Sequence, residues 1–415
     1  MTVVALYVAL FLGAWLAVRL LRRGGRRAGL AAQKTVTFGD ESAVRADRAA
    51  SVISLAAVFL IWGAFTGSRL VPIHVPGPFV GETGFTYTAR LPSGEEAEAE
   101  VTVLVHRPQE TPAAPAVAGS GPVQPDTAVV PAWRSVLVKA VENDAEGAAV
   151  VAIDGIPAVV DQPVRVAHGS VVLTAKGSLS FTPDKGWQME PIWLPPPEAV
   201  AARLVEIATN GYQGTGIWEH LWASVSRVLA GFLLGTLIGV PLGYAMGLSG
   251  WVRGWFDPIV EFMRPVPPLA LIPLIIIWFG IWETGKIVLL FLAALWIMVI
   301  AARSGVSGVR LSKIHAAYSL GASKGQVLRH VIIPNSLPDL FTGARVAMGV
   351  CWGTVVAAEL VAAEKGAGMM ILVASKFQLT DIVVMGIILI GAIGYGIDML
   401  MRWGEAKLVP WKGRG

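Results

Sequence analysis

Seven apolar runs recur along the chain, near 2–18, 49–66, 222–247, 268–282, 287–302, 340–363 and 382–401. Their lengths approach the roughly 20 residues that an α-helix needs to cross a bilayer. Between the second and third runs the pattern changes. Glu96-Ala97-Glu98-Ala99-Glu100-Val101-Thr102-Val103 alternates polar and apolar residues, the period of a half-buried strand. Gly169 to Pro183 reads as strand, turn at Lys176-Gly177, then strand, which is a hairpin. Residues 108–125, rich in proline, alanine and glycine, read as a linker. The pattern divides the chain into an N-terminal anchor with a basic link (1–48), a second span (49–67), a β-rich segment (68–190) and a helical core (191–415).

Basic residues orient the spans. Arg19, Arg22, Arg23, Arg26, Arg27 and Lys34 crowd the link between the first two runs, which places that link in the cytoplasm. Counting onward, the amino terminus and residues 67–220 are external, the loop with Arg253 is internal, and the turn Glu283-Thr284-Gly285-Lys286 is external. The stretch holding Arg303, Arg310, Lys313, Lys324 and Arg329 is internal, as is the tail with Arg402, Lys407, Lys412 and Arg414.

Composition agrees. The chain is 54% hydrophobic and 15% charged, against about 25% charged in soluble domains. The fold class is a polytopic α-helical membrane protein of about seven transmembrane helices with an inserted β-rich external domain. The net charge of +4 fits basic cytoplasmic links rather than nucleic-acid binding. The single cysteine, Cys351, lies in an apolar run, so no internal disulfide forms. The first run has no basic region before it and no small-residue cleavage site after it, and reads as a retained anchor.

One polar, basic stretch interrupts the apolar core: His315 to Pro334, HAAYSLGASKGQVLRHVIIP. Gly321 suits the left-handed residue that ends a helix. Ser323 followed by Gln326 matches a capping box that starts another, and Pro334 and Pro338 are expected to stop it. Ile314, Ala317 and Leu320 share one side of the first helix; Val327, Leu328, Val331 and Ile332 share one side of the second. The expectation is two short amphipathic helices on the cytoplasmic face, joined at a glycine corner. A DNA-binding helix pair has this outline but needs an unobstructed recognition helix, which tethers at both ends deny. An interfacial loop and a docking surface for a soluble partner both remain open.

Gly231, Gly235, Gly239, Gly243 and Gly247 form a stripe on the third run, where another helix can approach closely, within one subunit or between two. Arg227, Arg345, Glu359 and Asp398 are costly in lipid and should face protein or water. Arg345 and Glu359 share roughly one helix face, about 21 Å apart. Glu359 is expected to hydrogen-bond internally, with substrate contact as the alternative. Arg227, toward the external end, is a candidate to attract an anion. Trp278 and Trp352 either line a passage or pack between helices. Pro265, Pro267, Pro268 and Pro273 preclude a regular helix start in the fourth run. No G-x-x-x-x-G-K-[ST] loop, no His-Glu-x-x-His and no cysteine cluster is present, which argues against ATP hydrolysis, metal chemistry or any enzyme activity in this chain.

Ala316-Ala317, then Gly321 after three residues, then Val331-Ile332-Ile333-Pro334 after nine more, resembles the cytoplasmic signature of binding-protein-dependent import permeases. His315 stands where that family usually has glutamate. The resemblance runs from Leu194 to Trp411, includes Arg264 to Ala270, Ile277 to Ile281 and Ala357 to Leu360, and is nearest the nitrate, sulfonate and taurine type. It implies a type I ABC importer permease fold with coupling helices at 311–335, in which His315, Ala316, Ala317, Ser319, Gly321, Ala322, Ser323 and Pro334 meet an ATPase. It implies Trp278, Arg345, Trp352 and Glu359 as pathway candidates. The implied partners are two ATP-binding cassette subunits, which hold the ATP and Mg, an external solute-binding protein, a second copy of the chain and membrane lipid. The implied setting is a bacterial inner membrane, and the implied cargo an organic sulfonate such as taurine or a similar small anion. Glu142-Asn143-Asp144, Val151 to Gly155 and the hairpin resemble bacterial cadherin-like repeats, a docking module or a calcium site. The alternative function is an envelope sensor or scaffold with an adhesive external domain and no transport.

Overall fold

The computed structural model describes residues 48–108, 110, 112–115 and 121–411, together with positions 9, 12, 13, 16 and 17. The rest of the anchor span, the basic link, the centre of the 108–125 linker, and Lys412 and Arg414 lie outside the described residues. The chain divides into two compact units that meet in sequence after Glu198.

The first unit opens with helix α1 (Arg48–Thr66), an apolar helix of membrane-crossing length. Nine strands follow: β1 (Gly81–Arg90), β2 (Glu96–His106), β3 (Asp126–Pro131), β4 (Val136–Val138), β5 (Ala149–Ile153), β6 (Ile156–Pro157), β7 (Pro163–Val166), β8 (Gly169–Leu173) and β9 (Leu179–Pro183). They form a five-stranded sheet, β3-β2-β1-β5-β6, and a four-stranded sheet, β4-β9-β8-β7. The alternation in β2 buries Ala99, Val101, Val103 and Val105, which join Phe85, Ile153, Val171, Leu179 and Phe181 in one core. Each of these larger side chains, Ala99 apart, contributes roughly 1.5–3 kcal/mol on burial. β8 and β9 pair antiparallel with Leu173 opposite Leu179. β2 and β3 are parallel, which explains the long connection after His106, because parallel neighbours cannot be joined by a tight turn.

Tyr87 is fully buried in this core. Its hydroxyl reaches the Ala140 carbonyl (3.1 Å) and Asp144 (3.0 Å), with Asp126 at 3.3 Å. Burial, then the charge of Asp144, push the Asp126 carboxyl up to about 6, against opposing hydrogen bonds from Tyr87 and Asn143.

The second unit is helical: the remainder of α2 (Pro197–Asn210), α3 (Ile217–Leu248), α4 (Gly250–Met263), α5 (Ile272–Phe279), α6 (Glu283–Ser307), α7 (Leu311–Ser319), α8 (Lys324–Val327), α9 (Ile333–Ala362), α10 (Ala367–Lys376) and α11 (Thr380–Leu408). The five glycines of α3 face α6. A Cβ at Gly235 would stand 2.6 Å from the Ala294 Cβ, at Gly239 2.9 Å from the Leu295 carbonyl and at Gly247 2.8 Å from the Val306 Cβ. Gly231 and Gly243 meet Leu290 and the Val299 carbonyl in the same way. The contacts ascend together in both helices, so α3 and α6 run parallel. α9 runs antiparallel to α6: Gly305 meets Ser336, Gly343 meets Ala301, and the Cys351 thiol donates to the Leu290 carbonyl.

Parallel crossings need a return between them. The fourth run, expected as one span over 268–282, does not supply a continuous helix. A 3₁₀ turn (Pro268–Leu271) leads into α5, only 8 residues long, and this pair is bent by 92° from α4. Pro265, Pro267 and Pro268 lack the N–H groups a continuous helix would need. α4 packs Val260 on Met246 and Val299 at one end of the bundle; α5 packs Ile275 on Leu289 and Ala358 at the other. Glu283 to Lys286, expected as an external turn, is instead the first turn of α6. Among the described residues, five helices are long and apolar enough to cross a membrane, or six with the bent pair counted as one span.

Two outcomes follow. Gly243→Leu forces the side chain into the α6 backbone and lowers stability by about 1–3 kcal/mol, whereas Gly254→Ala on α4, where nothing stands within 4 Å, leaves the melting temperature in detergent unchanged; equal melting of the two variants would remove the seam's role. A carboxyl whose folded pKa is raised weakens the fold above that pKa, and the penalty fades as pH falls toward the unfolded value. The Asp126 carboxyl is pushed up to about 6 in the fold, so the hydrogen-exchange protection factors of β1–β3, each referred to the intrinsic rate at its own pH, should rise between pH 7 and pH 5. Asp126→Asn should remove that change, worth about 1 kcal/mol after discounting for partial exposure. An unaltered pH dependence in the variant would contradict the assignment.

Candidate functional site

At the end of the bundle where α6 begins, the charges converge. Arg227 on α3 is buried, and its guanidinium is almost fully engaged. Nε and one terminal nitrogen donate to the two Glu283 oxygens at 2.5 and 2.7 Å; the other donates to Glu359 Oε1 and to the Lys365 carbonyl, each at 2.7 Å. Glu359 on α9 is fully buried and also accepts from the Ser224 hydroxyl (2.8 Å) and the Gly368 N–H (2.9 Å). The α9–α10 loop is drawn onto this node: the Gly366 N–H donates to His220 Nδ1 (3.2 Å) and the Ala367 N–H to Ser224 Oγ (3.0 Å). At Gly366 the backbone has φ +147°, and any Cβ would strike the Glu359 carboxylate. Lys286, one turn into α6, donates to Glu283 at 2.9 Å.

Arg227 is therefore not available to attract a free anion: its donors are spent on Glu283, Glu359 and the Lys365 carbonyl. Buried charges persist when they are paired and fully hydrogen-bonded, and this node meets both conditions. Beside it lies an open cleft of about 720 Å³, lined by Glu283, Lys286, Glu359, Glu364 and Lys376 among others. Of the four pathway candidates, Glu359 lines it. Trp278 is 64% exposed on the short α5. Trp352 is buried, and its indole N–H donates to the Ile390 carbonyl (3.1 Å), a packing position between α9 and α11. Arg345 pairs with Asp398 (3.0 Å) and Glu405 (3.8 Å), so it and Glu359 serve different partners. Sequence reasoning missed Glu283, Ser224 and the Lys365 carbonyl. Their partners stand 56 to 138 positions away, and no local pattern reports such pairs.

At the opposite end of α6, α7 ends on the Gly321 corner. Gly321 has φ +80°; its N–H donates to the Tyr318 carbonyl (2.9 Å), and the Ala322 N–H donates back to Ala317 (3.1 Å). This is the paired closure of a left-handed helix stop. Ser323 and Gln326 form a reciprocal capping box that starts α8. The expected second short helix does not stop at Pro334. A π-helical turn over Leu328–Ile332 widens the ladder, with the Ile333 N–H bonded to Leu328, and the helix continues through Pro334 and Pro338 into α9. Widening by one residue accommodates the proline rings that a regular ladder would reject. Val306, Val309, Val327 and Ile332 form a small core beneath the corner, with Ile314 and Ala317 packed on it. Leu320, expected on the buried side, is 89% exposed, because it is the residue at which the helix closes. His315, Ala316, Ser319, Gly321 and Ser323 are exposed, while Ala322 and Pro334 are half-buried.

If the node is held by complementary burial, Arg227→Met strands the Glu359 charge and lowers stability by about 3–5 kcal/mol. Adding Glu359→Gln to that variant should recover a large part of the loss. A cost for Arg227→Met no greater than that of an exposed pair, measured by thermal unfolding in detergent, would show that the node is not buried in the working protein.

Residues 235–409 match the family model described as binding-protein-dependent transport system inner membrane component. The taurine transport system permease protein TauC of Escherichia coli (strain K12) is 46% identical over 226 residues, covering 54% of this chain and 82% of that protein. The putative aliphatic sulfonates transport permease protein SsuC of the same organism is 38% identical, covering 54% and 84%. The nitrate import permease protein NrtB of Synechocystis is 30% identical, covering 48% and 73%. The β-rich segment falls outside the matched family residues, so the resemblance to cadherin-like repeats gains no support from that match. With a helical membrane unit whose register is fixed by the α3–α6 contact, and a relative of which it covers four-fifths, the chain belongs to the binding-protein-dependent inner membrane components, the permease subunits of ABC importers, whose ATPase is a separate subunit.

Proposed function

We propose that this chain is the permease of an ATP-driven importer for a small organic sulfonate such as taurine, or a similar small anion. It works with two ATP-binding cassette subunits, a second copy of itself and an external solute-binding protein, with the β-rich unit on the external side. The observation that carries the reading is the Gly321 corner. Its inner side is packed onto the membrane helices, while Leu311, Tyr318 and Leu320, 68%, 46% and 89% exposed, face outward. Apolar side chains presented on a basic, water-facing corner suit a partner that covers them. Arg310, Lys313, Lys324 and Arg329 around it mark the cytoplasmic side, where an ATPase works.

The substrate class is supported by the names of the relatives and by the cleft. Among the described residues, Glu364 and Lys376 line it without an ion-pair partner. A wall carrying one free acid and one free base suits a small zwitterion such as an aminosulfonate.

Leu320→Asp tests the corner without disturbing the core, because the side chain is 89% exposed. The variant should insert and melt normally, yet lose co-purifying ATPase and ATP-dependent taurine uptake into vesicles by roughly tenfold or more, as expected for removing an interface anchor. Stoichiometric ATPase and undiminished uptake in the variant would refute the reading.

A further inference from the structure

The first unit has a second feature, independent of transport. The segment that returns from β9 toward α2 is bonded to the end of α1: the Trp62 indole N–H donates to the Pro195 carbonyl (2.9 Å), and the Met189 N–H donates to the Phe65 carbonyl (2.8 Å). Since α1 is long and apolar enough to cross a membrane and ends at Thr66, these bonds tie the base of the β-rich unit to the end of that helix, where a bilayer boundary would fall. There the surface is apolar and aromatic. Ile73, Trp187 and Trp193 are 77%, 68% and 73% exposed, the residue types that settle among lipid headgroups.

Opening at this base is a pocket of about 340 Å³, lined by Thr66, Arg69, Arg107, Trp133, Gln188 and Glu198 among others. Among the described residues, no carboxylate stands within ion-pair distance of Arg69 or Arg107. Glu198, the pocket's acid, accepts from the Ser68 hydroxyl (2.6 Å) and the Arg69 backbone N–H (3.0 Å) and feels the Arg69 charge from beyond ion-pair distance. The wall therefore carries two guanidiniums against one carboxylate. Trp133 is held with φ +69°, a conformation that bulky residues rarely adopt and that concentrates at functional positions. Its indole N–H reaches the Gln188 carbonyl (3.3 Å), and the Gln188 amide is itself fixed on the Val75 carbonyl (3.0 Å).

We propose that this pocket holds the phosphate of an anionic phospholipid, with Arg69 and Arg107 as its ligands and the Trp187–Trp193 rim seated among the headgroups. Arginine forks match a tetrahedral oxyanion, and basic pockets at membrane depth take anionic headgroups. A soluble oxyanion would use the same ligands, but it would gain nothing from the apolar rim or from the boundary position.

The full-length chain in its assembled transporter, delipidated in detergent and re-exposed to phosphatidylglycerol, is examined by native mass spectrometry. Wild type should retain one phosphatidylglycerol per chain that Arg69→Gln/Arg107→Gln binds roughly tenfold or more weakly, and that Arg69→Lys/Arg107→Lys partly keeps. In nanodiscs of wild type, hydrogen exchange around residues 69, 107 and 133 should slow with phosphatidylglycerol and not with phosphatidylcholine; this arm does not depend on any variant folding. Equal lipid retention in wild type and the glutamine variant, or equal exchange in the two lipids, overturns the proposal. So does protection of the same residues by inorganic phosphate or taurine without lipid, which would make the site one for a soluble oxyanion.

Discussion

Backbone contact between α3 and α6 sets the register on which the helical unit depends. A seam of five glycines lets the two helices touch where any Cβ would collide, and close-packed interiors tolerate no sliding by a fraction of a turn. Fixing the register at Gly231 and Leu290 carries Arg227, one turn earlier on α3, to Glu283 at the head of α6. Fixing it at Gly247 and Val306 sets Tyr244 against Ser336 and brings Val306 beneath the Gly321 corner. Both ends of the unit are thus positioned by one contact. It is the parallel sense of that contact that obliges the chain to recross through the bent α4–α5 pair.

The helix from Lys324 to Val361 joins the same two ends. It is 38 residues long, about 57 Å by helical rise, with the corner at its start and Glu359 near its finish. The π turn and two prolines lie within its first half. Beyond them the helix is regular and buried against α6 by Ala344, Ala347, Cys351 and Val355. The weakest part of its hydrogen-bond ladder therefore lies next to the corner. The remainder of the helix is clamped by α6 and by the Arg227 node.

Much of this was legible in the sequence because it is local. Strand alternation in 96–103, the hairpin at Lys176-Gly177, the capping box at Ser323 and the conformation of Gly321 depend on residues within a few positions of one another. What was not legible depends on distant partners. Proline rules ended the helix at Pro334 because they weigh a regular ladder alone, and the π turn is a nonlocal solution supported by packing of Val327 and Ile332 on Val306. Leu320 has the right spacing for a buried stripe, but the closing turn rotates it outward. The charged Glu283-Thr284-Gly285-Lys286 read as a turn because charges in a span are costly. The missing information was that Arg227 and the i,i+3 partner Lys286 neutralise Glu283, and that an acid suits a helix start.

The same accounting separates structural from solute-facing charge. A cation deep in a membrane protein invites a role in binding an anion, and Arg227 is the most buried arginine beside the cleft. Yet a guanidinium that meets two carboxylates and a carbonyl in fixed geometry gives up one of those partners to turn toward an anionic ligand, which would leave the buried Glu359 carboxylate poorly compensated. Glu364 and Lys376, at the open wall of the cleft, differ in kind: among the described residues they carry no ion pair, so they can exchange water for another partner without unmaking the fold. Arg227 serves by holding α3, α6, α9 and the Gly366 loop in the arrangement that gives the cleft its shape.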